Sequence, residues 1–298
     1  MTSPMISVVI PTYNREQTIG YCLQSVIAQT YTDFEVVVVD DGSRDGTAKK
    51  VLEFDDPRLR LLRHDSSKGA QAARNTGIRT ALGRWIAFLD SDDTWHPHKL
   101  AEQTAALASR GWDEGIVVHG GMTRYYPRTN STESWDLPIV SGTSCHAKLL
   151  QSPGPLFQTL LVSKKALHAI GYLDERVPSY QEWDTAIRLA EICEFIHIKE
   201  PLAVYWLHEG DTISKNLRRD VEGYRYIIEK HRAAMEEILG KKAWLRHCAV
   251  LINRCAKFGF FDDARQLLRQ MPAFSYWRLV AGLLFLRAFL TYPARRPA

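Results

Sequence analysis

The sequence predicts an α/β protein in which a doubly wound, mostly parallel sheet is followed by an α-helical C-terminal extension. Near-continuous Val and Ile runs, typical of strands buried on both faces, alternate with helical patterns through the first half of the chain. The later part carries apolar residues at helical spacing and ends in a Leu-rich segment. We therefore predict a sheet domain over residues 1–215 and a basic helical extension over residues 216–298.

The predicted elements of the sheet domain follow each other in a regular order. Apolar runs predict strands at "ISVVIPTYN", "EVVVVDDGS", "LRLL", "WIAFLD" and "GIVVHGG". Helical spacing predicts the intervening helices at residues 19–27, 45–54, 70–82 and 96–109. The long polar stretch at residues 123–150 is interpreted as a flexible loop over the site. Beyond it we predict a strand at "PLFQTLLV", a helix at residues 182–191, and strands at "EFIHI" and "LAVYWLH".

Composition describes an ordinary globular protein, with 45% apolar and 24% charged residues and a net charge of +4. The charge is uneven, because residues 216–298 carry a balance of +9 and the rest about −5. The five cysteines are scattered without a C-x-x-C pair, so we expect reduced thiols in a cytosolic protein. We expect neither a signal peptide nor a membrane-spanning helix.

Three of the predicted strands end in polar residues, namely "PTYN", "DDGS" and "DSDD". Asp-rich turns are common, so any one of them alone would indicate little. In a parallel sheet, however, the three ends lie along one edge, where ligands of such folds bind. The convergence of the three ends therefore predicts a ligand site.

The acids of "WIAFLDSDD" suit a divalent cation. Asp90 and Asp92 present two carboxylates on an exposed turn, and Mg²⁺ or Mn²⁺ takes such oxygen ligands together with substrate phosphates. Asp93 is interpreted as a helix-start residue, because a helix is predicted to begin close to Pro97.

No glycine-rich phosphate loop is present, so phosphate binding would fall to a cation and to basic side chains. Lys68 and Arg74 in "SSKGAQAARNTG" are the candidates. For Lys68, a solvated position at a helix start remains an equal alternative.

Taken together, the motifs resemble those of the family 2 glycosyltransferases, which have the Rossmann-like GT-A fold. The matching pieces are "SVVIPTYNRE", "VVVVDDGSRDGT", "KGAQAARNTGI", "WIAFLDSDD" and "YQEWDTAIRL", over roughly residues 5 to 210. The resemblance implies that a sugar passes from a UDP-, GDP- or dTDP-sugar to an acceptor hydroxyl with inversion. It also implies a Mn²⁺ or Mg²⁺ cofactor and a glycan or lipid-linked acceptor in the synthesis of a surface polysaccharide.

The resemblance also implies roles for individual residues. It implies that Asp92 holds the metal and diphosphate, while Asp90 contacts the ribose or the metal. His208 in "YWLHEGDTIS" would assist the diphosphate or the metal, and a surface histidine is the alternative. The remaining candidates for binding the nucleotide sugar are Pro11, Tyr13, Asn14, Asp41, Lys68, Arg74 and Ser91.

The catalytic base is less direct to identify, since the family usually has an Asp six residues before an Arg. Here Glu182 stands six residues before Arg188, and Asp184 is also near. On a regular helix the two acids lie roughly 200° apart, and Asp184 can pair with Arg188 at i+4. We predict that Glu182 is the base and that Asp184, the second choice, is structural.

The basic tail is predicted to form two helices within residues 241–270, with Gly259 ending the first and Asp262 capping the second. The last segment combines a Leu-rich core with Trp, Tyr and the arginines Arg278, Arg287, Arg295 and Arg296. That composition suits peripheral contact with the cytoplasmic face of a membrane, and equally packing within a fold or homodimer.

Two rival functions share some of these features. A sugar nucleotidyltransferase also uses metal-binding acids, but usually opens with a Gly-rich loop that "PTYNRE" lacks. A nucleotide-sugar-binding protein without transferase activity would be compatible with the change from Asp to Glu at residue 182. Nucleic-acid binding is not expected, because the basic residues form no patch interleaved with aromatic residues.

Overall fold

A computed structural model describes residues 3–135, 137–207 and 216–291 of the chain. The chain divides into two compact units, one of residues 1–175 and 181–210, the other of residues 176–180 and 211–298. The domain boundary predicted between residues 215 and 216 adjoins a segment outside the described residues, and it stays a prediction.

Within its described residues, the first unit is built on one sheet of nine strands, in the order β3-β2-β1-β4-β8-β6-β9-β5, with β7 paired to β6. The strands are β1 (Ile6–Thr12), β2 (Phe34–Asp40), β3 (Leu59–Arg63), β4 (Trp85–Phe88), β5 (Thr94–Trp95), β6 (Ile116–Tyr126), β7 (Ser131–Trp135), β8 (Leu161–Ser163) and β9 (Glu194–Trp206). The helices are α1 (Ile19–Ile27), α2 (Thr47–Leu52), α3 (Ala70–Thr80), α4 (Lys99–Ala108), α5 (Cys145–Leu149), α6 (Lys164–Ala169) and α7 (Gln181–Leu189), with a 3₁₀ turn at Phe157–Thr159.

The predicted α/β class is confirmed. Strands β1 to β4 pair in parallel, as do β6 and β9, whereas β5, β7 and β8 pair antiparallel with their neighbours. The Val and Ile side chains of the central strands are fully buried, for example Val8, Val36 and Val38, because helices cover the sheet. The parallel part aligns the carboxyl ends of β1, β2 and β4 on one edge.

The flexible loop predicted for residues 123–150 is wrong in large part. Strand β6 continues to Tyr126 and forms a hairpin with β7, and α5 lies further along the same stretch. His119 of β6 bonds through Nε2 to the carbonyl oxygen of Val140 at 2.7 Å, and Gly142 forms a backbone bridge with Phe195. The polar side chains of β7 face solvent, so this strand lacks the apolar signal of a buried strand.

Two further boundaries differ from the sequence-based expectation. The strand predicted at "PLFQTLLV" is limited to β8 and is preceded by the 3₁₀ turn. The two strands predicted at "EFIHI" and "LAVYWLH" form the single strand β9, which passes irregularities opposite Gly120 and Gly121. A glycine pair in the partner strand lets the long strand continue through this irregular register.

The described residues of the second unit contain five helices. They are α8 (Leu217–Lys230), α9 (Arg232–Leu239), α10 (Lys241–Lys257), α11 (Phe261–Gln270) and α12 (Tyr276–Thr291). Arg254 of α10 donates through Nη1 to Asp220 of α8 at 2.8 Å and to the hydroxyl of Tyr180 at 2.5 Å. This charged cluster holds the short segment 176–180 on the helices of its own unit.

The helical hairpin predicted within residues 241–270 corresponds to α10 and α11. Gly259 adopts a φ of 82° after α10, which suits a glycine at a helix end. The predicted cap at Asp262 is wrong, because α11 begins at Phe261 and Asp262 pairs with Arg265 at 3.0 Å inside its first turn. In the described part of the chain, no helix has the length and hydropathy needed to cross a membrane. All five cysteines are buried and unpaired.

Stability should fall in mild acid because of His119. Burial lowers the pKa of His119 to about 4, so between that value and about 6.5 the unfolded chain binds a proton that the folded chain excludes. The free energy of unfolding therefore decreases as pH falls through this window, with a contribution of about 3 kcal/mol. Urea unfolding at several pH values should show a smaller decrease for His119→Gln, whereas His98→Gln, at an exposed site, should retain the wild-type slope. Equal slopes for wild type and His119→Gln would contradict this.

Candidate active site

The three polar strand ends lie at one edge of the sheet, because β1 stands between β2 and β4. Thr12 at the end of β1 is in register with Asp40 at the end of β2. Val9 of β1 is in register with Phe88, the last residue of β4. The segments that follow these strands therefore start side by side.

Asn14 connects the end of β1 to the turn after β2 through two hydrogen bonds. Its backbone N–H donates to Ser43 Oγ at 2.9 Å, and its Oδ1 accepts a hydrogen bond from the backbone N–H of Arg44 at 2.9 Å. Its φ of 50° lies in the left-handed region, which Asn tolerates better than most residues. Beside it, Pro11 is buried and Tyr13 exposes 41% of its surface.

Asp41 holds the loop that follows β3. Its carboxylate accepts hydrogen bonds from His64 and Ser67, each at 2.7 Å, and from the backbone N–H groups of Lys68 and Gly69. Burial alone would raise the pKa of Asp41, but these donors outweigh it and lower the pKa below its ordinary value. The contact of Lys68 in this corner is made by its backbone, while its side chain is exposed.

The acidic turn after β4 contains two partly exposed carboxylates and a buried serine. Asp92 Oδ2 lies 3.4 Å from Arg15 Nε, and the side chains of Asp92 and Asp90 retain 18% and 29% of their exposure. Ser91 is buried between them. Arg15 directly follows the "PTYN" segment, so the end of β1 also contacts the acidic turn.

Asp93 is not a helix-start residue, which corrects the sequence-based interpretation. It is buried, its Oδ1 accepts from the backbone N–H of Trp206 at 3.0 Å, and its Oδ2 accepts from Gln158 Nε2 at 2.7 Å. Helix α4 begins only at Lys99, so Asp93 lies too far from it to act as a cap. The buried acid instead joins the turn to the end of β9.

The acidic turn creates a strongly negative local potential. Burial raises the pKa of Asp93 well above its ordinary value, and the charges of Asp92 and Asp90 raise it further. Burial likewise raises the pKa of the Cys22 thiol, with the same three acids adding to the effect. Such a potential favours a bound cation at the turn.

Arg74 is the buried basic group of this site. Its guanidinium contacts Asp90 and donates to Gln71 Oε1 at 2.8 Å and to Gln181 Oε1 at 3.3 Å. It also lies 4.5 Å from the ring centre of Phe157. Arg74 thus links α3, the acidic turn, the 3₁₀ turn and the start of α7.

Glu182 and Asp184 occupy different environments on α7. Burial raises the pKa of Glu182; the charge of Arg74 acts in the opposite sense, and that of Asp90 adds to the increase. Glu182 is therefore close enough to sense both charged groups of the site. Asp184 is fully buried and accepts from Arg188 Nε at 2.9 Å, the ion pair that helical spacing predicts. Their catalytic roles stay predictions.

Sequence reasoning missed Gln158. Its Nε2 donates to Asp90 Oδ2 at 2.8 Å and to Asp93 Oδ2 at 2.7 Å, so one amide joins two carboxylates. The available signal was a lone Gln inside the apolar run "PLFQTLLV", which was assigned to a strand.

The residues of the acidic turn fit a divalent cation that takes its other ligands from a substrate. Asp90 and Asp92 supply two carboxylates in a negative potential, and Mg²⁺ is commonly bound by one or two carboxylates plus substrate phosphates. No set of three His, Cys, Asp or Glu side chains capable of holding a metal occurs among the described residues. The predicted ligand His208 lies outside the described residues.

Part of the chain resembles known proteins in sequence. Residues 7–152 match the sequence model described as Glycosyl transferase family 2. Escherichia coli UDP-Glc:alpha-D-GlcNAc-diphosphoundecaprenol beta-1,3-glucosyltransferase WfgD is 48% identical over 107 residues, which is 36% of this chain and 42% of that protein. Rhizobium meliloti succinoglycan biosynthesis protein ExoO is 34% identical over 240 residues, which is 73% of this chain and 64% of that protein. The chain thus spans about half the length of these curated relatives.

Solved structures share the fold. The crystal structure of Staphylococcus aureus TarS 1–349 in complex with UDP-GlcNAc aligns with a TM-score of 0.69 at 20% identity, covering 95% of this chain and 89% of that one. The mannosyltransferase PcManGT from Pyrobaculum calidifontis, in complex with GDP-Man and Mn²⁺, aligns with a TM-score of 0.62 at 19% identity, covering 96% and 88%. At this level of identity, the likeness concerns the fold.

Loss of the Gln158 amide should destabilise the protein. Gln158→Leu leaves two buried or half-buried carboxylates without a shared donor, which costs about 1–3 kcal/mol. Chemical denaturation should detect the loss, and Gln151→Leu, whose side chain is exposed, should remain within about 0.5 kcal/mol of wild type. Wild-type stability in Gln158→Leu would show that the amide does not support the turn.

Proposed function

The chain belongs to the family 2 glycosyltransferases through its domain at residues 7–152, and we propose that it is an inverting transferase. It moves a sugar from a nucleotide-diphosphate sugar to an acceptor hydroxyl. The observation that carries the proposal is the link through Arg74, which contacts Asp90 and donates to Gln181, the neighbour of Glu182, at 3.3 Å, so that the start of α7 lies at the acidic turn. A proton acceptor next to a phosphate-binding corner is the arrangement that this reaction requires.

The donor side of the reaction uses the acidic turn and the two arginines near it. We propose that Asp92 and Asp90 hold Mn²⁺ or Mg²⁺, with His208 as an additional ligand. The cation, when bound, offsets the negative charge of the diphosphate leaving group. Arg15 and Arg74 contact these two acids and so place positive charge beside the proposed position of the diphosphate.

The nucleoside side uses the ends of β1 and β2. Pro11 and Tyr13 provide an apolar and aromatic wall, while Asn14 and Asp41 fix the backbone around it. Lys68 and Ser91 complete the proposed donor contacts. The proposed donor is a UDP-, GDP- or dTDP-sugar, and the donors named for WfgD and for the TarS complex, both UDP-sugars, support the first of these.

The acceptor side uses Glu182. As the acceptor oxygen attacks the anomeric carbon, Glu182 takes the hydroxyl proton, and the bond from that carbon to the diphosphate oxygen breaks. The nucleoside diphosphate leaves, and a single displacement inverts the anomeric centre. Burial raises the pKa of Glu182, which makes it a stronger base than an ordinary carboxylate.

The acceptor is proposed to be a glycan or a lipid-linked saccharide in the synthesis of a surface polysaccharide. Support comes from the relatives WfgD, named as a glucosyltransferase that acts on a diphosphoundecaprenol-linked sugar, and ExoO, named as a succinoglycan biosynthesis protein.

Glu182→Gln should abolish most turnover, because the amide cannot accept the proton. We expect kcat to fall by about 10²–10⁴-fold while the KM for the donor changes little. Measuring nucleoside diphosphate release with Mn²⁺ present checks this, with Glu191→Gln, on an exposed residue just beyond α7, as the matched control. Release should be seen with the wild type, and its absence there would favour a binding protein.

Asp184→Asn should act on stability instead. It removes the charge partner of the half-buried Arg188, and breaking such a buried pair costs about 3–5 kcal/mol. Where the variant is still folded, its kcat should stay within about tenfold of wild type. The assignment is reversed if folded Asp184→Asn loses turnover while Glu182→Gln retains it.

A thermal-shift screen of UDP, GDP and dTDP should identify the donor base and the metal requirement. A nucleotide at about 100 times its Kd stabilises the native state by about 2.7 kcal/mol. The shift should require Mn²⁺ or Mg²⁺, and Asp92→Asn should remove the metal-dependent part. Asp33→Asn, directly before β2 at the opposite edge of the sheet, should leave the shift intact. An equal shift in the presence of EDTA would contradict the proposed cation.

A further inference from the structure

Helix α12 presents a continuous apolar stripe to solvent. The stripe consists of Tyr276, Leu279, Leu283, Leu286 and Leu290, and each of these side chains exposes between 51% and 72% of its surface. Their spacing alternates between three and four residues, so they lie on one face of the helix. Just before the helix, Phe274 is fully exposed. Contiguous apolar surface of this kind usually marks an interaction site.

The opposite face of α12 is already packed. Ala281 and Ala288 are its buried residues, and about 100° per residue places both opposite the stripe. Phe261 of α11 packs edge-on against Phe285 and Phe289 of α12, at 6.2 and 5.1 Å between ring centres. The two alanines and the two phenylalanines thus contact the unit, whereas the leucines of the stripe face outward, although an ordinary surface helix turns its leucines toward the core.

Two arginines flank the stripe. On a helical projection Arg287 lies on one side of the stripe and Arg278 on the other. The Arg278 guanidinium donates to the Met271 carbonyl at 2.8 Å, and Arg287 is exposed. The sequence from residue 264 to residue 298 contains six arginines and no Asp or Glu. The rim of the stripe is therefore positive without an acidic counterpart on the same helix.

This charge pattern favours an anionic lipid surface over a second copy of the chain as the partner of the stripe. Alternating three- and four-residue spacing also occurs in coiled coils, but stable pairs place complementary charges beside the seam. Two copies of α12 packed through the stripe would bring only arginines to the rim. An anionic lipid surface instead accepts the apolar stripe at its acyl boundary and the arginines at its phosphates.

We propose that α12 docks the protein on an anionic lipid surface, lying in the plane of the interface. Its 16 residues extend about 24 Å, which is shorter than the hydrocarbon core of about 30 Å. The stripe and Phe274 enter the interface, and Arg287 contacts headgroup phosphates. This inference is independent of the proposed transferase activity.

Vesicle co-sedimentation tests the proposal with the full chain. At low salt the wild type should bind vesicles of phosphatidylglycerol and phosphatidylcholine more tightly than vesicles of phosphatidylcholine alone. Leu283→Gln/Leu286→Gln should lower the partition coefficient at least about tenfold. Arg287→Gln should lower it about fivefold on the anionic vesicles only. Leu52→Gln, at a side chain 71% exposed on α2, is the matched control and should bind as wild type does.

Three outcomes overturn the proposal. If the wild type stays in the supernatant with both kinds of vesicle, the protein does not bind lipid surfaces. If the stripe variants bind as tightly as the wild type, the stripe is not the lipid-binding surface. A dimer in analytical ultracentrifugation that the stripe variants convert to monomer, with vesicle binding unchanged, assigns the stripe to a second copy of the chain. Unchanged circular dichroism and melting temperature should accompany the binding loss, because the substituted side chains are exposed.

Discussion

The contact between the buried Arg74 and the half-buried Asp90 is the constraint on which the candidate site depends. Asp90 leaves the sheet at the end of β4, and Arg74 reaches it from α3, so two elements distant in sequence meet at one ion pair. The same guanidinium bonds to Gln181 at the start of α7 and lies over Phe157. Through these contacts, Arg74 links the acidic turn to the helix that carries Glu182.

Around that pair the site keeps more negative than positive charge. Three acids share one short turn. Arg15 contacts Asp92 and Arg74 contacts Asp90, and the other donors described above, the amide of Gln158 and the backbone N–H of Trp206, are neutral. Burial raises the pKa values of Asp93 and Cys22, and the charges of the neighbouring acids raise them further. A fold that concentrates acids where strands end is unfavourable in isolation, yet it is well suited to receive a cation together with a diphosphate.

Much of this arrangement could be predicted from the sequence, because it rests on local patterns. Apolar runs predicted β1, β2 and β4, and the i+4 spacing predicted the pair between Asp184 and Arg188. The misplaced features depend instead on partners far along the chain. Asp93 bonds to Trp206, and Gln158 reaches back to two acids more than sixty residues earlier. Such contacts leave no periodic pattern in the sequence. Strand β7 was missed for a different reason, because its exposed polar residues form no apolar pattern.

The saturated carboxylate of Asp41 has a consequence for how a donor would be chosen. Four donors from the loop after β3 already occupy it, so a nucleobase that reaches Asp41 exchanges one hydrogen bond for another instead of adding a new one. The net gain in binding free energy from a matching base is then small. A base without a suitable donor would instead displace one of these hydrogen bonds to Asp41 without replacing it. Discrimination at this corner would therefore operate by penalising the wrong base, with affinity supplied by the phosphates at the acidic turn.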